Sequence, residues 1–465
     1  MADSTHTTVA VIGGGISGLV CAYRLQQLGL HVTLLEESAR TGGLIGTVEQ
    51  DGFLFESGPQ SVQGTDALLA LIRDVGLEGE LYKADPRAPR FVLQRGRLQK
   101  VPLSPQALLT SSLLGVGSRW NILSEAFRTT RPPDEEETVA AFVRRKFGNE
   151  ILEYLVAPFV SGVYAGDPEK LSLRAAFPSI EEWEREYGSV LRGAMKSRPA
   201  NGAAKRSPPL ISFRQGLESL TQTLAAKLGP HARTGTRADE LNRVSASGAE
   251  GYQIRVTRAG QQETITAQAV VLATPAYTAS RLVAPLSAQL AQMLSGVAYA
   301  AVAVVAAGYY TRQASGPING FGVLIPRAEK YRTLGTVWNS SLFPGRAGAG
   351  KFAMTSFAGG ATDPEMADKS PHDIAAIVER ENARILDISG PPIASGVWKH
   401  PKALPQYNLG HGHVVEAIRD GERALPGLFF AGNYLQGPAI GKCVEQALQT
   451  ADAMNAYLQG RATVR

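Results

Sequence analysis

Three glycines near the amino terminus stand where a predicted strand passes into a predicted helix. Gly13, Gly15 and Gly18 follow the β-branched run 8–12 and precede residues 19–28, which have helical periodicity. The first glycine permits a tight turn, the second lets backbone approach a pyrophosphate, and the third lets helix and strand pack closely. Because the amino end of a helix also offers free N–H groups to phosphates, this spacing predicts a dinucleotide site.

Charged residues follow the second predicted strand, 31–35. Glu36 comes directly after this strand, where a carboxylate can accept hydrogen bonds from a ribose diol. Arg40 comes next, followed by the pair Gly42 and Gly43. A nicotinamide site does not require these three residues, and their alternative interpretation is a surface cation followed by an ordinary loop.

A second glycine-rich turn lies near the carboxyl terminus. A predicted strand, 428–431, ends at Gly432 and Asn433, and a predicted helix runs over roughly 442–458. The backbone of such a turn can approach a ligand closely, and the amino end of the following helix stabilises negative charge there. Both ends of the chain therefore carry a strand, a glycine-rich turn and a helix.

The composition excludes several classes of protein. The chain has 465 residues, 44% hydrophobic and 19% charged, with a net charge of +5, so we expect a large core and no wholesale disorder. Its two cysteines, Cys21 and Cys443, exclude a disulfide scaffold and a Cys-rich metal site. We interpret Cys443 as a small buried residue. The basic residues are scattered and accompany no nucleic-acid-binding motif, so we predict no nucleic-acid partner.

Residues 282–311 contain no charged side chain, and their number alone would suit a membrane span. Pro285 and Gly296 interrupt them, however, and the second half is rich in Val, Ala and Tyr. We therefore predict a short helix, a break at Gly296 and a buried strand. His411 and His413 have no third ligand nearby, which favours loop or strand roles over a metal site.

Several segments together resemble the flavoprotein amine oxidases and, in particular, the protoporphyrinogen oxidase family. The resemblance covers nearly the whole chain and departs from the family pattern at Gln60, where Asn is expected, and at Ser161, where part of the family has Arg. Many FAD enzymes also have Asp in the place of Asn433. The segments that carry the resemblance are 36–43, 56–61, 161–172, 320–326, 334–337, 401–407 with His411, 426–434 and 437–443.

The resemblance implies one non-covalent FAD and a three-cycle oxidation of a porphyrinogen, in which six electrons pass through hydride transfers to the flavin N5 and on to O2, giving H2O2. It assigns no protein side chain as a catalytic acid or base, because the pyrrole nitrogens of the substrate can lose the protons. The cofactor residues that it implies are Gly13, Gly14, Gly15, Ile16, Ser17, Gly18, Glu36, Glu37, Arg40, Gly42, Gly43, Gly58, Pro59, Gln60, Ser61, Val244, Trp398, Gly432, Asn433 and Ile440.

The resemblance also implies a substrate site for a tetrapyrrole. Arg90 matches the Arg that pairs with a propionate, for which a guanidinium fork is suited. Gly162 matches a glycine whose backbone faces the substrate, while Leu324 and Val337 match apolar positions around the pyrrole rings. Phe321 and Phe357 match positions near the ring face. For each apolar residue taken alone, ordinary core packing is the alternative.

The fold class expected from the resemblance is α/β, with a Rossmann-like FAD-binding domain, an interleaved α+β substrate domain and a mainly helical, membrane-facing domain. We expect the FAD-binding domain at 1–60, 210–283 and 395–465, and the substrate domain at 61–102 and 284–394. The helical domain is expected at 103–209, with a loop from 188 to 209. No metal is expected, and the sequence leaves a homodimer open.

Apolar residues recur in the helical segment beside arginines, which suits a helix lying on an anionic lipid surface. A plain amphipathic helix packed on its own domain fits equally well. With no signal peptide recognised, the expected location is the cytoplasm, on the inner face of the cell membrane. The apolar residues are Leu108, Leu109, Leu113, Leu114, Trp120, Leu123 and Phe127, and the arginines are Arg119, Arg128 and Arg131.

Three alternatives remain open from the sequence. Coproporphyrinogen III oxidation needs the same scaffold and more cations, because that substrate carries four propionates. An amine oxidase or carotenoid desaturase would share both FAD-binding ends and lack the middle motifs. A non-catalytic binding protein of the GDI type would have lost the flavin, and the intact Gly13, Glu36 and Arg40 argue against it.

Overall fold

Two seven-stranded sheets organise the protein. The computed structural model describes residues 4–102, 107, 110–197, 208–246 and 249–462. The first sheet takes its strands from residues 4–35, 232–272 and 428–430, and the second is built from residues 90–100 and 299–405. A cluster of helices between residues 116 and 196 adjoins the second sheet. This arrangement confirms the mixed α/β fold class.

The first sheet has the order β10-β2-β1-β13-β12-β11, with β19 paired to β13. Its centre is parallel, and β11 to β13 form an antiparallel meander. The uninterrupted apolar run 9–12 suits a strand covered on both faces. The strands are β1 (Ser4–Ile12), β2 (Val32–Leu35), β10 (Ala232–Arg233), β11 (Thr236–Ala246), β12 (Ala249–Arg258), β13 (Gln261–Leu272) and β19 (Leu428–Phe430).

Helices cover both faces of this sheet, because alternate residues of β1 point to opposite sides. Val9 and Val11 belong to one buried cluster, and Ala10 and Ile12 belong to another. The first cluster includes α1 (Ile16–Gln27), α2 (Asp66–Asp74), α10 (Glu218–Leu228) and α16 (Ile440–Ala462). The second includes α11 (Ala276–Val283), α12 (Ala288–Ser295) and α15 (His411–Ala424).

The second sheet has the order β18-β14-β17-β16-β15-β7-β8. β14 lies between β18 and β17 and is buried along most of its length, so the prediction of a helix, a break at Gly296 and a buried strand is confirmed. The strands are β7 (Arg90–Gln94), β8 (Arg97–Lys100), β14 (Tyr299–Tyr310), β15 (Gly322–Leu324), β16 (Thr333–Val337), β17 (Lys351–Gly359) and β18 (Ala394–Pro405). Helices α13 (Asn339–Leu342) and α14 (Pro371–Leu386) accompany it.

Two small sheets join these bodies. One pairs β3 with β4, and the other has the order β5-β9-β6. The strands β3 and β4 lie between Gly43 and Gly58, and β5 follows Ser61. Their strands are β3 (Thr47–Gln50), β4 (Phe53–Glu56), β5 (Val62–Gln63), β6 (Leu81–Lys83) and β9 (Leu210–Phe213).

A helical unit lies between residues 116 and 196, as the sequence predicted. The predicted loop from residue 188 is wrong at its start, because Ser189 caps a helix over 190–196. Residues 198–207 lie outside the described part of the chain, as do Leu108 and Leu109. The helices are α3 (Val116–Glu125), α4 (Val139–Lys146), α5 (Asn149–Ile151), α6 (Ala157–Tyr164), α7 (Leu173–Ala176), α8 (Pro178–Tyr187) and α9 (Val190–Lys196), with a π-helical turn at Leu152–Val156 between α5 and α6.

None of the helices in the described ranges combines the length and apolar character needed to cross a bilayer.

Candidate functional site

The first glycine-rich loop joins β1 to α1 and leaves room for a ligand at one position. A Cβ added to Gly13 would lie 2.7 Å from the Ala273 carbonyl oxygen, and one added to Gly18 would lie 1.8 Å from the Gly13 carbonyl oxygen. A Cβ on Gly15 would meet no atom within 4 Å. Gly13 and Gly18 are therefore required for packing, whereas Gly15 borders open space at the amino end of α1, where Ile16 and Ser17 form the first turn.

Glu36 closes this loop at the end of β2. Its carboxylate accepts hydrogen bonds from the Gly14 N–H at 2.6 Å and from the Ser38 N–H at 2.8 Å. Glu37, beside it, is exposed. The position of Glu36 next to the glycine loop suits recognition of a ribose by a carboxylate.

Arg40 supports the loop that follows and is not a free surface cation. Its guanidinium donates to the Ile45 carbonyl at 2.8 Å and to the Gly43 carbonyl at 2.9 Å. This loop contacts the first one, since the Gly42 N–H donates to the Gly14 carbonyl at 2.8 Å. The two glycine-rich segments that the sequence predicted separately thus form one surface.

The segment Gly58, Pro59, Gln60 and Ser61 follows β4 and packs on the same loop. A Cβ on Gly58 would lie 2.0 Å from the Leu44 carbonyl oxygen. Gln60 is buried, and its amide donates to the Gly58 carbonyl at 2.7 Å and accepts from Asn339 at 2.7 Å. Because the Gln60 side chain is buried and bonded to other protein groups, only the backbone of Gln60 is left for the predicted cofactor contact.

The carboxyl-terminal glycine-rich turn lies beside the amino-terminal glycine-rich loop. Gly432 donates its N–H to Gln446 at 3.2 Å, and Asn433 follows it before α16 begins at Ile440. Burial raises the pKa of the Cys443 thiol to about 11, although a hydrogen bond with the Ser17 side chain acts in the opposite direction. This contact brings the first turn of α16 against the first turn of α1. The two ends of the chain therefore build one cradle.

Val244 does not belong to this cradle. The strand β11 meets the end of β2 at Thr236, whose N–H donates to the Glu36 carbonyl at 2.8 Å. Val244 lies eight residues further along β11, paired with Gly251, which is about 26 Å away for an extended strand. The prediction for Val244 is wrong because the sequence did not show which end of the strand approaches Glu36.

Four of the six predicted substrate residues, Arg90, Leu324, Val337 and Phe357, share one face of the second sheet. Arg90, Gly322 and Val337 are cross-strand partners in one row, and Leu324, Gly335 and Phe357 are partners in the row two residues away. Partners in register point to the same side, and so do residues two apart. Trp398 continues the second row through Val304, and its contact with a flavin stays a prediction.

Arg90 has the surroundings of a ligand-binding cation. It is half-buried, and its guanidinium lies 5.1 Å from the centroid of the Phe321 ring. No acidic residue in the described ranges forms an ion pair with it. A half-buried guanidinium without a carboxylate partner can bind one from a ligand.

Helix α6 closes the face opposite Leu324. A Cβ on Gly162 would lie 2.8 Å from the Leu324 Cδ2 atom, so a larger residue here would require the end of the Leu324 side chain to move. Sequence reasoning missed the exposed apolar neighbours of Gly162, namely Phe159 and Val163. Their spacing around Gly162 on one helix was the signal that could have found them. We call the region between these apolar residues of α6 and the face of the second sheet the slot.

The histidine prediction also needs correction. His411 and His413 lie in α15, and neither is in a loop or strand. His411 is buried, and its Nε2 atom lies 2.8 Å from the Tyr434 carbonyl oxygen. Cys443 is buried, as expected. Within the described ranges, no three His, Cys, Asp or Glu side chains come together as metal ligands would.

Comparisons with known proteins identify the family of this chain. A model of the family described as "Flavin containing amine oxidoreductase" matches residues 16–455. The chloroplastic protoporphyrinogen oxidase of Nicotiana tabacum is 35% identical, over 96% of this chain and 85% of that protein. Protoporphyrinogen oxidase 1 of Arabidopsis thaliana is 35% identical, over 97% and 88%. The chain belongs to the protoporphyrinogen oxidase family.

More distant matches agree with this family. The coproporphyrinogen III oxidase of Bacillus subtilis (strain 168) is 26% identical, over 97% of this chain and 98% of that protein. Cyclohexylamine oxidase from Brevibacterium oxydans IH-35A has the same fold, with a TM-score of 0.69 at 16% identity, over 97% of this chain and 99% of that one. The second of these matches shows the fold alone.

The family's cofactor is FAD, and the cradle fits it. The open space at Gly15 would accommodate a pyrophosphate, and the Glu36 carboxylate would be placed to bind the ribose. The amino end of α16, beside Ser17, suits the negatively charged edge of a reduced flavin. The resemblance inferred from the sequence is thereby confirmed at the level of family, fold and cofactor.

Proposed function

We propose that the protein oxidises protoporphyrinogen IX to protoporphyrin IX. Six electrons and six hydrogens leave the substrate in three two-electron steps, and each step reduces one O2 to H2O2. FAD, when bound, supplies the hydride acceptor and returns the electrons to oxygen. The observation that carries the proposal is the apolar face of the second sheet. It ends at the Arg90 guanidinium, which has no acidic partner among the described residues, and its sheet contacts the FAD cradle through His400 and Ser57.

The residues of the chain would bind and orient this substrate. Arg90 would hold one propionate in a bidentate contact. Leu324, Val337 and Phe357 would cover the ring and exclude water, and Gly162 lets the backbone of α6 approach the opposite side. Protons leave from the pyrrole nitrogens, so the protein need not supply a base.

Coproporphyrinogen III is the alternative substrate. It carries four propionates, whereas Arg90 is the cation among the slot residues described above, and Ser161 stands where part of the family has Arg. The higher identity to protoporphyrinogen oxidases supports protoporphyrinogen.

A side-by-side assay tests this choice. Both porphyrinogens are prepared anaerobically, and kcat/KM is measured from porphyrin fluorescence with the FAD-loaded enzyme. We expect a higher kcat/KM for protoporphyrinogen. A clear preference for coproporphyrinogen would reverse the assignment, and no oxidation of either would refute it.

We also propose that the helical unit docks on an anionic lipid surface at the inner face of the cell membrane, in the cytoplasm. Val116, Trp120 and Phe127 on and just after α3 are 82%, 67% and 87% exposed. Val116 and Trp120 are four residues apart and lie on one side of the helix, and Phe127 follows its carboxyl end. Arg128 and Arg131 are exposed beside them. Exposed aromatic rings next to arginines match the chemistry of an anionic bilayer interface.

Vesicle sedimentation tests the docking. The holoenzyme is mixed with phosphatidylcholine vesicles with and without phosphatidylglycerol, and the double variant Trp120→Asp with Phe127→Asp is compared with Leu409→Asp, a change at an exposed apolar residue elsewhere. We expect the double variant alone to lose binding to the anionic vesicles. Equal binding by both variants contradicts the proposal, and so does a dimer in solution that only the double variant dissociates.

A further inference from the structure

The turn between β19 and α16 is held by two side chains from outside it. The Tyr407 hydroxyl donates to the Asn433 carbonyl and accepts from the Gly437 N–H at 2.8 Å. His411 bonds through Nε2 to the Tyr434 carbonyl at 2.8 Å. Three backbone groups of the turn thus find their partners in Tyr407 and His411, which we call the clamp.

The clamp is buried and tightly packed. Tyr407 is 2% exposed and His411 is 5% exposed, with ring centroids 4.3 Å apart. Burial lowers the pKa of His411, and the neutral ring must carry its hydrogen on Nε2 to donate to a carbonyl. Because no solvent replaces a lost partner here, removing either side chain leaves buried backbone groups unpaired.

The clamp is itself anchored on the segment that joins α6 to α7 and on the chain just before α4. The Tyr407 carbonyl accepts from the Ser172 N–H at 2.8 Å. The Glu136 carboxylate accepts from the Ser172 hydroxyl and from the Gly410 N–H, the latter at 2.8 Å. The clamp therefore connects the helical unit with the turn before α16.

We propose that Tyr407 and His411 are positioning residues for the flavin end of the cofactor. By fixing the turn from Asn433 to Gly437, they set where the amino end of α16 stands relative to the cradle. Loss of the clamp lets this turn relax, which weakens FAD binding and changes the polarity that the flavin experiences. The proposal rests on the family's cofactor and is independent of which porphyrinogen is oxidised.

Tyr407→Phe is the first test, because it removes the hydroxyl and keeps the ring. Tyr252→Phe is its matched control: Tyr252 is also fully buried, and its hydroxyl also bonds to loop carbonyls, those of Leu425 and Pro426, away from the turn. The dissociation constant of FAD for each apoprotein is measured by fluorescence, and the visible flavin bands are recorded after loading. We expect about tenfold weaker binding for Tyr407→Phe with shifted bands, and binding within twofold of wild type for Tyr252→Phe.

A second pair of variants decides the question even if Tyr407→Phe does not fold. His411→Gln keeps a donor near the position of Nε2, whereas His411→Leu removes it. We expect the leucine variant to bind FAD several-fold more weakly and the glutamine variant to recover most of that loss. FAD affinity and flavin bands that are the same in the clamp variants and in Tyr252→Phe would overturn the proposal.

Discussion

At the scale of single residues, the guanidinium of Arg90 decides how a carboxylate ligand would lie. It stands at the start of β7, in register with Gly322 and Val337, so it marks one end of the apolar face. The Phe321 ring beneath it limits its orientation. A cation held in this way can direct a ligand carboxylate, and no acidic side chain in the described part of the chain forms an ion pair with it.

Arg90→Ala should raise KM for protoporphyrinogen about tenfold or more, with a smaller change in kcat, because a charge-assisted hydrogen bond in binding is lost. Arg90→Lys should recover part of the loss, since lysine keeps the charge and lacks the fork. Arg87→Ala, at an exposed arginine paired with Asp85, is the control. An unchanged KM for Arg90→Ala in steady-state assays would remove Arg90 from the substrate site.

At the scale of elements, the strand–turn–helix of β1 and α1 separates structural from binding glycines. Gly18 sits against the Gly13 carbonyl, whereas Gly15 borders open space. The same sequence pattern therefore contains positions with opposite tolerance for a side chain.

Gly15→Ala should leave the thermal midpoint of the apoprotein nearly unchanged and weaken FAD binding, because the added methyl occupies the space of the pyrophosphate. Gly18→Ala should lower the midpoint of the apoprotein itself, since its Cβ overlaps a carbonyl oxygen. Calorimetry on apoprotein and fluorescence titration with FAD measure the two effects. Equal effects of both substitutions on both readouts would contradict this division.

The helical unit depends on a buried charge network that joins α4 to α8. Burial alone raises the pKa of Glu184, but hydrogen bonds from Arg145, Lys146 and Thr130 outweigh it and lower that pKa to about 2. The Lys146 ammonium lies 2.8 Å from the Glu184 carboxylate, and both side chains are buried. A carboxyl with a lowered pKa stabilises the folded state only while it is ionised.

The stability contributed by Glu184 should be complete above its ordinary pKa of 4.5 and should disappear as the pH falls towards about 2. The difference amounts to about 3 kcal/mol. Urea unfolding of wild type and Glu184→Gln at a series of pH values measures it. The glutamine variant should be less stable at neutral pH and should lose less stability on acidification; parallel pH profiles would be inconsistent with this role.

At the scale of the whole molecule, a buried ion pair connects the end of β4 with the segment that leads into β17 of the second sheet. Arg346, which follows α13, lies 3.2 Å from the Glu56 carboxylate, and both side chains are fully buried. Glu56 ends β4, just before the cofactor segment at Gly58, and also accepts from the Leu217 N–H at 2.9 Å. Burial raises the pKa of Glu56 although Arg346 opposes the shift. The position of the substrate sheet relative to the FAD cradle is therefore tied to this pair.

Arg346→Leu should reduce the free energy of unfolding by about 3–5 kcal/mol, because it leaves the Glu56 carboxylate buried without a counter-charge. Adding Glu56→Gln should restore part of the loss, since the uncompensated charge is then gone. Arg423→Ala, which breaks an exposed pair with Asp420, should cost less than about 1 kcal/mol. Denaturant unfolding tests this, and additive effects of the two buried substitutions would show that the pair is not coupled.

The sequence by itself determined the features that depend on neighbouring residues. Glycine spacing after a β-branched run predicted β1, its turn and α1, and the uncharged stretch with Gly296 predicted α12 and β14, because turn geometry and burial period are local properties. The same local reasoning, together with family resemblance, led to FAD and to the residues of the slot.

Only the tertiary structure decided which distant residues meet. It brought Ser17 against Cys443, showed that Thr236 and not Val244 approaches Glu36, and placed Arg90, Val337 and Phe357 on one face. It also gave Tyr407 and His411 their place at the carboxyl-terminal turn. Strand register and helix packing arise from contacts between residues hundreds of positions apart, and no local pattern encodes these contacts.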